Sequence, residues 1–196
     1  MEIGVAQRPA IHERICGDDS TIVRGEDTLI AVADGLGHGP KAAEASQAFC
    51  RYVREHASEG LEDIILGASH QIRRTRGAAC ALLRIDAHEK VLTFAGVGNI
   101  ELHAMSRKPI HPISMPGIVG KRIQKVQPFE CELNPGDLLA MVSDGISSRL
   151  DLRPLKDLSV QEIADTLMKT HGKDHDDATC IVIRLAGEPD EPEPPA

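Results

Sequence analysis

Apolar positions along the chain change period four times. Alternating or continuous apolar runs predict strands over Glu2 to Gln7, Ser20 to Arg24 and Thr28 to Ala33, the last two joined by the turn G-E-D. From Pro40 to Ala57 the spacing becomes helical: Ala45, Phe49, Tyr52, Val53 and His56 share one face, and Lys41, Glu44, Arg51, Arg54 and Glu55 the other. Pro40 suits a first helical turn, where its missing N–H costs nothing. A second helix is predicted over Leu61 to Arg74, after Gly60. Past Gly77 the strand pattern returns over 79–85, 91–97, Ile100 to Met105, Val126 to Leu133 and Asp137 to Val142. A third helix over Val160 to Thr170 and a last strand over 178–185 complete the series.

Short turn signals (D-A-H-E, G-N, N-P-G) separate the later strands, which predicts antiparallel hairpins and meanders. Strands, two helices, more strands, a helix and a strand form an α+β order, with antiparallel sheet and helices grouped on its outer faces. The segment from Arg107 to Gln124, with three prolines and four basic residues, reads as a surface loop; the alternative is that its charge meets an acidic or phosphorylated partner. Residues 1–186 are expected to form one domain, and the acidic, proline-rich tail over 187–196 to be disordered.

Composition narrows the choice. Of the 196 residues 41% are apolar, but with one Tyr, three Phe and no Trp the core must be built from aliphatic side chains. Thirty acidic against 22 basic residues give a formal charge of −8, which disfavours nucleic acid and anionic lipid as partners. Five scattered cysteines without a C-x-x-C spacing read as reduced, buried thiols. Neither a signal sequence nor a membrane-length apolar run is visible, so a cytoplasmic, monomeric protein is expected.

The candidate chemistry lies where strands begin and end. Four stretches, I-C-G-D-D-S at 15–20, A-V-A-D-G at 31–35, M-V-S-D-G at 141–145 and H-D-D-A-T at 175–179, each set acid at the edge of an apolar run. One such Asp makes a turn; four invite a common cause, because carboxylates are costly at buried strand edges. Hard divalent cations supply that cause. They take carboxylate and carbonyl oxygens, and an Asp-Gly step offers both.

D-G-L-G-H-G before a helix, then R-G-A-A at 76–79, G-V-G-N-I at 96–100, S-D-G-I at 143–146 and D-D-A-T at 176–179, in that order, resembles the metal-dependent protein phosphatase family (type 2C), in its bacterial sporulation-phosphatase-like branch. The resemblance implies a four-layer α-β-β-α sandwich of two antiparallel sheets flanked by helices, with a metal cleft at one edge. It implies two Mn²⁺ or Mg²⁺ ions, Asp34 spanning both, the Gly35 carbonyl binding one, and Asp18, Asp144 and Asp176 supplying further ligands. Asp19 and Asp177 are open alternatives to their neighbours. The reaction implied is hydrolysis of phosphoserine or phosphothreonine by a metal-activated water. His38 either donates a proton to the leaving alkoxide or caps the following helix, and Arg14, four residues before Asp18, is a candidate phosphate contact. For a bare catalytic domain the resemblance implies phosphorylated STAS-domain proteins of the stressosome as partners.

Rival readings are weaker. His171 and His175 are four apart among nine histidines, but no H-E-x-x-H or third ligand accompanies them, so a zinc hydrolase is disfavoured. G-L-G-H-G lacks the spacing of a nucleotide loop. The alternative from a different class is a catalytically weak binding module that keeps this fold; intact acids in all four stretches argue against it.

Overall fold

A computed structural model describes residues 1–187. In chain order its elements are β1 (Glu2–Arg8), β2 (Asp18–Arg24), β3 (Thr28–Gly35), α1 (Pro40–Glu55), α2 (Leu61–Gln71), β4 (Ala78–Asp86), β5 (Val91–Val97) and β6 (Glu101–Met105). There follow β7 (Gly117–Ile118), β8 (Arg122–Ile123), β9 (Phe129–Glu132), β10 (Leu138–Val142), a 3₁₀ turn (Arg153–Leu155), α3 (Val160–His171) and β11 (Ala178–Arg184).

Two antiparallel sheets, ordered β1-β11-β10-β6 and β2-β3-β4-β5-β9, stack face to face. Their alternation sorts the apolar side chains into three layers. Ile30, Val32, Leu83, Phe94, Met141 and Ile181 fill the space between the sheets. Leu29, Ala31 and Leu82 face the opposite way and bury Phe49 and Val53 of α1 and Ile64 and Ile65 of α2. On the far side Ala140, Cys180 and Val182 cover Ile163 and Leu167 of α3. The expected four-layer sandwich is the observed one. β3 is buried on both faces, which is why its sequence is a continuous apolar run rather than an alternating one.

Differences from expectation have local causes. The helix expected to reach Ala57 ends at Glu55, where the His56 N–H bonds the Tyr52 carbonyl. The one expected to reach Arg74 ends at Gln71, and Thr75 Oγ turns back to the Ile72 carbonyl at 2.7 Å. The strand expected from Val126 shortens to Phe129–Glu132, an edge strand that starts after Pro128, a residue with no N–H for a ladder. The segment 107–124 is not a plain surface loop: it carries the β7–β8 hairpin, and Ile110 and Val119 are buried. Backbone hydrogen bonds exchanged between Ala78 and Val119, at 2.9 and 3.0 Å, clip that hairpin to the start of β4. From residue 188 on, the tail lies outside the described residues. Among the described residues no helix is long and apolar enough to cross a membrane.

Candidate active site

Strand register gathers the acids. Antiparallel pairing of β2 with β3 sets Asp18 directly opposite Asp34. In the other sheet Val142 at the end of β10 pairs with Cys180 near the start of β11, so the segments carrying Asp144 and Asp176 also meet. Ser143 joins the sheets there: its hydroxyl donates to Asp18 Oδ2 at 2.7 Å, and its Oγ accepts from the Thr179 N–H at 2.9 Å. Both Asp-Gly steps need glycine for one reason, close backbone approach. A Cβ at Gly35 would lie 2.0 Å from the Ala42 carbonyl oxygen in α1, and one at Gly145 would lie 1.9 Å from that of Asp177.

The result is an open cleft of about 420 Å³ lined by Asp34, Asp144, Asp176, His38 and Asn99, with Leu36 and Ile118 as apolar flanks. Asp18 stands behind Asp34 at 3% exposure. Burial raises the proton affinity of Asp34, and the charges of Asp18, Asp144 and Asp176 raise it further. Burial likewise raises that of Asp18, against the Ser143 and Thr179 hydrogen bonds that favour its ionised form. Asp176 is raised by burial and then by Asp144. Like-charged carboxylates held this way resist ionising together unless a cation joins them.

The donors fit a hard dication. Asp18 Oδ1 is buried without a hydrogen-bond partner, so an acceptor oxygen stands desolvated inside an all-oxygen set. Among the described residues no group of three His, Cys, Asp or Glu side chains is placed to hold a metal ion as the side chains stand.

Of the paired alternatives, the pleat sends Asp19 to the opposite face of β2, beside Cys50 of α1, away from the cleft. Asp177 is 2% exposed and accepts from the Ala10 N–H at 2.9 Å; it sits against Gly17, behind the cleft rather than in its lining. Arg14 is exposed in the turn after β1 and does not line the cleft. His38 does not cap α1, because the N-cap is Gly39 and no side chain bonds there. Its Nδ1 instead meets Glu13 Oε1 at 2.6 Å, with the imidazole 64% exposed.

Residues without a role assigned from the sequence also belong here. Asn99 Nδ2 donates to Asp144 Oδ2 at 2.7 Å, and the Lys173 ammonium donates to the Asp144 carbonyl. Arg76 reaches the Leu36 carbonyl at 3.5 Å, at the cleft rim. The signal for Asn99, Ser143 and Arg76 was their place inside G-V-G-N-I, S-D-G and R-G-A-A; nothing marked Glu13.

Comparison with known proteins gives the family. The family model for stage II sporulation protein E (SpoIIE) matches residues 24–186. The phosphoserine phosphatase RsbX of Bacillus subtilis (strain 168) is 32% identical over 177 residues, 88% of each chain. Stage II sporulation protein E of the same organism is 26% identical over 79% of this chain but only 22% of its own length. Among solved structures, RsbX in complex with magnesium superposes with TM-score 0.83 at 30% identity, covering 93% of this chain and 94% of the other. A chain from a structure of the bacterial stressosome, described as a modular system adapted to control secondary messenger signaling, gives TM-score 0.89 at 32% identity over 92% and 97%. Two Asp-Gly steps meeting across stacked antiparallel sheets, and a family match over most of the chain, lead to one conclusion: the chain belongs to the SpoIIE family of metal-dependent, type 2C phosphatase domains.

Proposed function

We propose that the protein hydrolyses phosphoserine and phosphothreonine monoesters on proteins, using two divalent ions, Mn²⁺ or Mg²⁺. Its substrates would be phosphorylated STAS-domain proteins of the stressosome, so that dephosphorylation gives negative feedback in bacterial stress signalling. The observation that carries the chemistry is the convergence of Asp34, Asp144 and Asp176 from both sheets on one open cleft, with Asp18 buried behind Asp34. The similarity to RsbX over most of both chains supports the substrate class.

Asp18, Asp34, the Gly35 carbonyl, Asp144 and Asp176 would hold the ions. Bound there, they supply Lewis-acid polarisation of the phosphoryl group and a water acidic enough to act as nucleophile near neutral pH. The chain's own groups set the rest. Ser143 and Asn99 fix the carboxylates of Asp18 and Asp144 by donating to one oxygen of each. An ionised Glu13 only accepts, so it keeps a proton on His38 Nδ1 and fixes the ring. Nε2 is then the nitrogen free to exchange a proton with the leaving serine oxygen. The Arg76 guanidinium at the rim adds positive charge for an incoming phosphate. No thiol competes as nucleophile: burial pushes Cys80 and Cys180 up to about 12.

The test is phosphate release from an aryl phosphate and from a phosphorylated STAS-domain protein, with Mn²⁺ or with chelator. Release only with the cation is expected. Equal release in chelator sinks the metal reading; turnover of other phosphoproteins but not the STAS domain sinks the stressosome assignment alone.

A further inference from the structure

The overall charge of the protein is −8, yet beside the cleft the sign reverses. Arg73, Arg74 and Arg76 leave the end of α2; Lys121, Arg122 and Lys125 belong to the β7–β8 hairpin and the segment after it. These two segments are remote in sequence but make one platform. Lys121 Nζ donates to the Arg73 carbonyl at 3.4 Å, and the Gly120 N–H donates to Ser69 Oγ of α2 at 2.9 Å. The same hairpin supplies Gly117 and Ile118 to the cleft wall, and Arg76 reaches the wall at Leu36. All six basic side chains are exposed, and among the described residues none forms an ion pair with a carboxylate.

Cations after a helix C-terminus complement its dipole, which would account for Arg73 and Arg74. It does not account for three more from the separate hairpin and the segment after it, nor for the absence, among the described residues, of an ion pair between any of them and a carboxylate. Clustered like charges repel in the free protein and are relieved by a partner of opposite sign. From this charge complementarity, and from continuity with the cleft mouth, we infer that the ridge formed by Arg73, Arg74, Lys121, Arg122 and Lys125 docks an acidic segment of the phosphoprotein substrate flanking the phosphorylated residue. A substrate whose phosphoserine sits in the cleft would lay its flanking chain along the hairpin, where Asp and Glu side chains meet the free cations. This inference rests on the phosphatase reading for its substrate, and its test separates the two.

The probes are two phosphoserine peptides identical except that one carries four Asp on a flank where the other carries four Asn. With Mg²⁺ present, kcat/KM should favour the acidic peptide by about tenfold, through KM. The variant Arg73→Glu/Arg74→Glu/Arg122→Glu should abolish that preference while aryl phosphate turnover changes by less than about twofold. The milder triple Gln variant should lose part of it, which guards against misfolding of the charge-reversed protein. Anisotropy of a labelled, unphosphorylated tetra-aspartate peptide should report binding to the wild type and its loss in the variant. An equal preference in wild type and variant, or none in either, overturns the inference. So does tighter binding of phosphatidylserine vesicles or duplex DNA than of the acidic peptide. If the wild type fails on aryl phosphate too, the phosphatase reading fails, and the anisotropy arm still decides the ridge.

Discussion

The cleft and the ridge are adjacent, and each concentrates charge of one sign, but by opposite means. In the cleft, acids are delivered by strand ends into a partly buried space, where Asp34 and Asp18 become reluctant to ionise. On the ridge, bases stand in solvent, where a separation of more than about 10 Å is largely screened at ordinary ionic strength. Buried repulsion demands a counter-ion inside the fold; exposed repulsion only selects what comes to it. Cleft substitutions should therefore change stability and chemistry together, and ridge substitutions only recognition.

The sharpest contrast comes from Asp34→Asn. Turnover of aryl phosphate with Mn²⁺ should fall about a thousandfold or more, while the melting temperature of the cation-free protein rises because one repelling carboxylate is gone. A variant that loses both activity and stability would place Asp34 in the packing rather than in the site.

Asp18→Asn should cost about a hundredfold in turnover and Asp19→Asn less than about twofold. Equal losses would mean that the two faces of β2 do not divide the roles as the register implies.

Next in size is the linkage of pH to stability. Folding raises the proton affinity of Asp18, Asp34 and Asp176, so between the ordinary carboxylate range and their raised values the folded state holds more protons than the unfolded chain. Stability of the chelated protein therefore falls as pH rises through that window, and melting is expected to be lower at about pH 8 than at about pH 5. Added Mg²⁺ should raise the melting temperature more at the higher pH, where it replaces the protons. A cation effect independent of pH would leave the cleft and the ridge electrostatically alike.

On the ridge, raising salt from about 0.05 to about 0.5 M should lower kcat/KM for the acid-flanked peptide about fivefold and leave aryl phosphate unchanged. Least of all should thiol alkylation matter: burial raises Cys16, Cys50, Cys80, Cys131 and Cys180, so native protein at about pH 8 should keep full activity after iodoacetamide treatment. Inactivation would point to a thiol that the fold leaves accessible.

Much of the cleft was legible because apolar runs ending in Asp-Gly carry two signals at once, a strand and its stop. The helices were legible from period; the structure adds a capping box at the start of α3, closed in both directions between Ser159 and Glu162. The choice between Asp18 and Asp19 was not, since β2 has apolar neighbours on both faces and only its pairing with β3 fixes which acid turns inward. Asp177 needed the Ala10 N–H, a contact 167 positions away. Half of the ridge was legible as the basic charge of 107–124; its union with Arg73 and Arg74 was not, because 73–76 and 121–125 are separate basic stretches until the hairpin folds against α2.

Ala78 faces Gly35 across the β3–β4 ladder and also exchanges two hydrogen bonds with Val119. That double attachment turns the hairpin into a fixed ruler laid out from the reacting position. A ruler adds spacing to charge: acids set at the matching interval from the phosphoserine gain most from the ridge, and the same acids set elsewhere gain less.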